Sequence, residues 1–147
     1  MKPLSSYPIL HHFIAHFVAR YMSEENYERI VDALCAYRLE YVCGCGECGT
    51  VVLEAPTKAN FFSAYEAKRD GACLMVNLGE IILIPKILSN PKHIEFEVVS
   101  GHWDASCVPY WSELTTSMRI HPKEAKRSVQ AFFEANPELP IKTVIVD

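Results

Sequence analysis

Apolar residues recur every three or four positions at the start of the chain and every second position in its middle. That change of period divides the sequence into elements. Leu10, Phe13, Ile14, Phe17, Val18 and Tyr21 keep helical spacing. Ser6 is placed to cap this first helix, and Pro8 falls in the first turn, where a missing N–H costs no hydrogen bond. Tyr27, Ile30, Val31, Leu34 and Cys35 mark a second helix, expected to start after Ser23 with Glu24 and Glu25 at its positive end. The short gap between the two predicts a helical hairpin.

From Arg38 the pattern alternates. Leu39 to Val42 and Thr50 to Leu53 are β-prone and enclose a glycine-rich tract, which predicts a β-hairpin with an elaborate tip. Phe61 to Ala67 reads as a strand ending at Arg69-Asp70-Gly71. Ala72 to Val76 and Glu80 to Ile84 flank Asn77-Leu78-Gly79 as a second hairpin, and Ile94 to Val99 is a further strand. A third helix follows Pro122, with Ala125, Val129, Phe132 and Phe133 on its buried side. Asn136-Pro137 stops it, and Ile141 to Val146 alternates as a closing strand. The expectation is one α+β domain over residues 1–147. In it, an N-terminal helical hairpin and one C-terminal helix pack on an antiparallel meander of about five or six strands.

Composition narrows the function classes. Half of the 147 residues are hydrophobic and 22% are charged, enough apolar surface for a core without disulfides. The net charge of −4 argues against a nucleic-acid footprint and suits a basic protein partner. No stretch approaches the roughly 20 apolar residues of a membrane span, and the N-terminus lacks the apolar core of an export signal. Six cysteines without such a signal point to the cytoplasm, where thiols stay reduced or bind metal.

The most distinctive chemistry lies in Cys43-Gly44-Cys45-Gly46-Glu47-Cys48-Gly49. Cys43, Cys45 and Cys48 give C-x-C-x₂-C, with glycines that let the backbone curl so that three sulfurs converge. A structural zinc site needs a fourth ligand. Cys107 and His102 are the leading candidates, followed by Cys73 and Cys35. The alternative is a tight hairpin tip whose cysteines serve as small packing residues. A catalytic metal would instead need an open coordination position, with Glu47 or Glu54 as general base. A regulatory role for oxidisable thiols is a third reading.

Other motifs fail on context. Cys45-Gly46-Glu47-Cys48 has the C-x-x-C form of an oxidoreductase. Yet Thr50-Val51-Val52-Leu53 after it is a strand pattern, not the helix N-terminus that would activate a thiol. His93-Ile94-Glu95 matches the H-x-E of zinc deaminases but follows the C-x-x-C and reads as a strand start. His12 and His16 share a helix face without the glutamate of H-E-x-x-H, and read as a polar edge. His121 before Pro122 helps to start the third helix. The stretch Gly101 to Glu113 offers Trp103, Asp104, Tyr110, Trp111 and Glu113 as an aromatic–acidic contact surface. The competing reading has both tryptophans plugging one end of the sheet.

With these segments placed, two resemblances emerge. The strand, the Cys43-Gly44-Cys45-Gly46 turn, Thr50-Val51-Val52 and the later Ile94-Glu95-Phe96-Glu97-Val98 resemble small bacterial proteins with C-G-C-rich hairpins. The segment from Pro122 through Val129, Phe132 and Phe133 to Pro140 and the final strand is similar to the closing part of immunity proteins from interbacterial toxin systems. This resemblance implies a non-enzymatic module that binds and neutralises a cognate toxin. A basic toxin domain would be its partner, with zinc, if any, structural.

Overall fold

The structure, a computed structural model of the chain, describes residues 2–21, 26–45, 48–57, 72–78, 81–90, 92–99, 108–115, 119–135 and 142–145. Its elements in chain order are β1 (Lys2–Pro3), a 3₁₀ turn (Leu4–Ser6), α1 (Pro8–Tyr21), α2 (Tyr27–Leu34), β2 (Arg38–Val42) and β3 (Val51–Glu54). They continue with β4 (Ala72–Leu78), β5 (Ile81–Ile87), β6 (His93–Val99), α3 (Trp111–Thr115), α4 (Pro122–Ala135) and β7 (Lys142–Ile145). The class is α+β, as the periodicity predicts. Among the described residues, seven strands form an antiparallel sheet in the order β1-β2-β3-β6-β5-β4-β7.

The sheet departs from a simple meander. β3 pairs with β6, not with β4, the next strand among the described residues, so the β4–β5–β6 unit folds back with its last strand innermost. β6 suits that position because Ile94, Phe96 and Val98 are buried on one face, in register with Leu53 and Val51 of β3. β5 also runs past Pro85, where the sequence pattern ends a strand. Pro85 is buried opposite Phe96 and has no N–H to donate. The pairing of β4 with β5 runs from Leu78–Ile81 to Val76–Leu83, short of that proline, and the first half of β4 pairs with β7. The expected strand Phe61 to Ala67 lies outside the described residues.

One face of the sheet meets the helices. Leu39, Val51, Leu53, Ile94, Phe96 and Val98 join α1, α2 and α4 in a single core. Phe17 of α1 meets Phe96 edge-on, with ring centroids 5.6 Å apart. Phe96 is fully buried, which stabilises the fold by about 1.5–3 kcal/mol relative to exposure. The residues that alternate with these, Glu54, His93, Glu95 and Glu97, lie on the opposite, partly exposed face, as period-two patterning requires. Lys86 of β5 joins them, bridging Glu95 at 3.1 Å and Glu97 at 2.8 Å. An irregularity in the β2–β3 register between Leu39 and Tyr41 falls at Glu40.

α1 is buried on more sides than its apolar stripe predicts, because it packs between α2 and α4 as well as over the sheet. Of the expected polar edge, His12 is buried and His16 half-buried, and His11 is buried beside them. His11 Nε2 is 2.7 Å from the Val31 carbonyl, and His12 Nδ1 is hydrogen-bonded with the Tyr27 hydroxyl. His16 stacks on Phe133 and tilts against Tyr27. Lys126 of α4 reaches Glu28 of α2 at 2.8 Å and lies over the Tyr27 ring, tying α4 to α2. Burial lowers the His11 pKa. Burial also brings His12 down to about 4; the neighbouring His11, Lys126 and His16 act in the same direction, and Glu28 opposes them.

Helix capping differs from expectation at both N-terminal helices. Ser6 belongs to the 3₁₀ turn, and Tyr7 occupies the position before α1, its carbonyl accepting from His11 N–H at 2.8 Å. Tyr7 has no short side-chain oxygen to offer the first turn. The carboxylate of Glu113 does so instead, accepting from Ile9 N–H at 2.9 Å and Leu10 N–H at 3.0 Å. Burial raises the Glu113 pKa, and those two bonds partly offset the rise. α2 begins at Tyr27, with Asn26 accepting from Arg29 N–H at 3.0 Å as its cap. Cys35 falls just past the end of α2 and is exposed, outside the buried stripe. At α4 the expectation holds, as Lys123 N–H donates to His121 Nδ1 at 3.2 Å.

Glu113→Ala leaves two helix N–H groups without an acceptor and is expected to lower the unfolding free energy by about 2 kcal/mol in urea denaturation. A loss under about 0.5 kcal/mol would show that water replaces the carboxylate without penalty. His12 supplies a pH test. Its folded-state pKa lies below the unfolded value of 6.5, so its contribution is present above pH 6.5 and is lost as the pH falls towards about 4. The stability difference between the wild type and His12→Gln is therefore expected to shrink across that window. A constant difference would contradict the assignment.

Candidate metal centre

β2 and β3 form the hairpin that carries the cysteines. Their register pairs Val42 with Val51, and Cys43 N–H donates to the Thr50 carbonyl at 3.0 Å, closing the base of the tip. Cys43, Cys45 and Cys48 bring their sulfurs within 4.8 Å of one another. The sequence expectation of convergence holds for these three. Cys45 is exposed, and Cys43 and Cys48 are half-buried.

The backbone points donors at these sulfurs. Cys48 N–H lies 3.3 Å from Cys45 Sγ, and the Cys45 N–H bonds to Cys43. Such donors stabilise a thiolate, the form that binds metal. In the thiol state Cys43 is nevertheless raised above its ordinary range. The Cys45 backbone bond lowers it, and hydrogen bonds with the Cys48 and Cys45 thiols outweigh that effect. Three crowded sulfurs cannot all ionise cheaply unless a cation joins them. The donor set and its spacing therefore fit a thiophilic metal.

The tip is attached to the core through Gly49 and Thr50. The Tyr110 hydroxyl donates to the Gly49 carbonyl at 2.6 Å. A Cβ on Gly49 would lie 3.1 Å from Val108 Cγ1 and 3.4 Å from the Tyr110 oxygen, so any larger residue there would have to displace the Val108 side chain by a few tenths of an ångström. Thr50 Oγ1 accepts from Val98 N–H at 3.1 Å, fastening the same loop to β6. Full burial and the nearby Cys48 thiol raise the Tyr110 pKa, which keeps its hydroxyl a donor.

The remaining candidates sort by position. Cys35 donates to the Val31 carbonyl at 3.4 Å and is not grouped with the three sulfurs. Cys73 is on β4, which β6 and β5 separate from β3, roughly 14 Å at ordinary strand spacing. Cys107, His102, Trp103 and Asp104 lie outside the described residues, as does Glu47. Glu54 pairs with Arg38 at the far end of the hairpin, about 10 Å of strand from Val51, so it is no base for the cysteine cluster. His12 and His16 are engaged with Tyr27 and Phe133 rather than grouped for a metal.

The aromatic–acidic surface is corrected in two of its members. Tyr110 is fully buried and Glu113 nearly so, both spent on internal hydrogen bonds. Trp111 is half-buried at the start of α3 and packs against the core. A second group, Glu40, Glu54 and His93, gathers on the outer sheet face with ligand atoms within 4.8 Å, His93 lying 3.5 Å from Glu54. Sequence reasoning missed it because its members are joined only through the β2–β3–β6 register.

The chain matches no known protein family, curated protein or solved structure. What the site does must therefore be read from its own chemistry.

Tyr110→Phe removes the bond to Gly49 while preserving the ring that meets Phe13 edge-on at 5.1 Å. The expected loss is about 1–2 kcal/mol of stability, with faster hydrogen exchange at the Cys43 amide. Unchanged exchange there would mean that the tip is held without Tyr110.

Proposed function

We propose that the chain is a non-enzymatic protein-binding module whose β2–β3 tip is closed by a structural zinc ion. Cys43, Cys45 and Cys48 supply three ligands and Cys107 the fourth. The observation that carries the metal reading is the convergence of three sulfurs within 4.8 Å, with backbone N–H groups directed at them. Cys107 is favoured over Cys35 and Cys73 because it immediately precedes Val108, whose side chain lies against Gly49 beside Cys48. The position of Glu54 at the other end of the hairpin supports a structural role over a catalytic one.

The partner reading is a basic protein domain, of the kind an immunity protein masks in a bacterial toxin. The net charge of −4 supports it. With Tyr110 and Glu113 buried, the outer sheet face is the better surface. It presents Tyr41, 54% exposed, with Glu40 and Glu54, beside Glu95 and Glu97, whose charge Lys86 balances in part. A large aromatic among carboxylates suits a cationic partner, and the charge would speed encounter.

Elemental analysis of protein purified without added metal is expected to find one zinc per chain. The content should fall at least tenfold in Cys48→Ser, and Cys107→Ser should weaken retention against a chelator. Zinc at background level, or equal retention in Cys48→Ser, would overturn the metal reading.

A further inference from the structure

We infer that Cys45 and Cys48 form a peroxide-responsive dithiol whose closure to a disulfide dismantles the metal site. The consequence for metal rests on the zinc reading above; the dithiol itself does not.

The two sulfurs are 3.3 Å apart, and a disulfide bond of about 2.05 Å requires them to close by about 1.2 Å. Cys45 is exposed at the turn, open to a small oxidant, and its Sγ accepts from Cys48 N–H at 3.3 Å. A Cβ added at the neighbouring Gly44 would meet nothing within 4 Å, so the tip has open space on that side. The anchors of the loop lie at Cys43, Gly49 and Thr50, flanking the pair. Closure between Cys45 and Cys48 therefore does not require the buried attachments to move.

The oxidant is a hydroperoxide, and the electrons balance in two steps. The Cys45 thiolate attacks one peroxide oxygen; the O–O bond breaks, giving a sulfenic acid and hydroxide. The Cys48 thiolate then attacks the sulfenic sulfur; the S–S bond forms, the S–O bond breaks and a second hydroxide leaves. Two thiolates have lost two electrons and one peroxide has been reduced. Disulfide sulfurs are poor ligands compared with thiolates, so the metal loses two ligands at once and is released.

The test treats the full zinc-loaded chain with one equivalent of hydrogen peroxide and follows released metal with a chromophoric chelator. The expected result is one zinc released per disulfide formed, a Cys45–Cys48 linkage by peptide mapping, and recovery of binding after dithiothreitol. In Cys48→Ser, a sulfenic acid trapped at Cys45 by dimedone is expected in place of the disulfide. Metal-free protein treated in parallel separates the two readings. A chain that forms the disulfide but never holds zinc overturns the metal reading and supports the dithiol. A chain that holds zinc and forms no Cys45–Cys48 linkage, or links through Cys43, overturns the dithiol and leaves the metal reading standing.

Discussion

The carboxylate of Glu113 on the first turn of α1 is the contact on which the helical layer depends. α1 begins at Pro8, preceded by Tyr7, and neither side chain can satisfy the N–H groups of Ile9 and Leu10. Those groups are buried, and unpaired buried donors are expensive. One side chain, 104 residues from Ile9, accepts from both. The charge costs desolvation, which shows in the raised pKa of Glu113. The two N–H donors and the positive end of the helix partly offset that cost. The result joins the beginning of the chain to α3 and sets α1 in the position from which Phe17 reaches Phe96.

The same short segment governs the cysteine tip. Val108 and Tyr110, immediately before α3, hold Gly49 by packing and by a hydrogen bond. Residues 108–113 thus attach both the helical layer and the β2–β3 hairpin. This explains why Tyr110 and Glu113, which read as part of a contact surface, are interior. Both have been recruited to close polar groups of distant backbone. The outer face of the sheet, alternating with the buried residues of β3 and β6, takes over the aromatic and acidic exposure.

Local pattern explains most of the elements. The helices at Pro8, Tyr27 and Pro122 and the strands from Arg38, Val51, Ala72 and His93 follow from apolar spacing, because burial on one face selects the period. The C-x-C-x₂-C cluster was legible for the same reason: ligands within one turn are placed by local backbone. Cap identities were less legible. Asn26 and His121 cap their own helices, whereas α1 is capped by a residue that carries no local sign of that task.

The sequence by itself determined the period of each element, which face of each strand is apolar, and the convergence of Cys43, Cys45 and Cys48. These depend on residues within a few positions of one another. Only the tertiary structure decided that β6 lies beside β3, that His11 and His12 are buried between helices, and that Glu113 and Tyr110 point inward. Each of these is a pairing of polar or apolar groups far apart in the chain, and its free energy appears only when the partners meet.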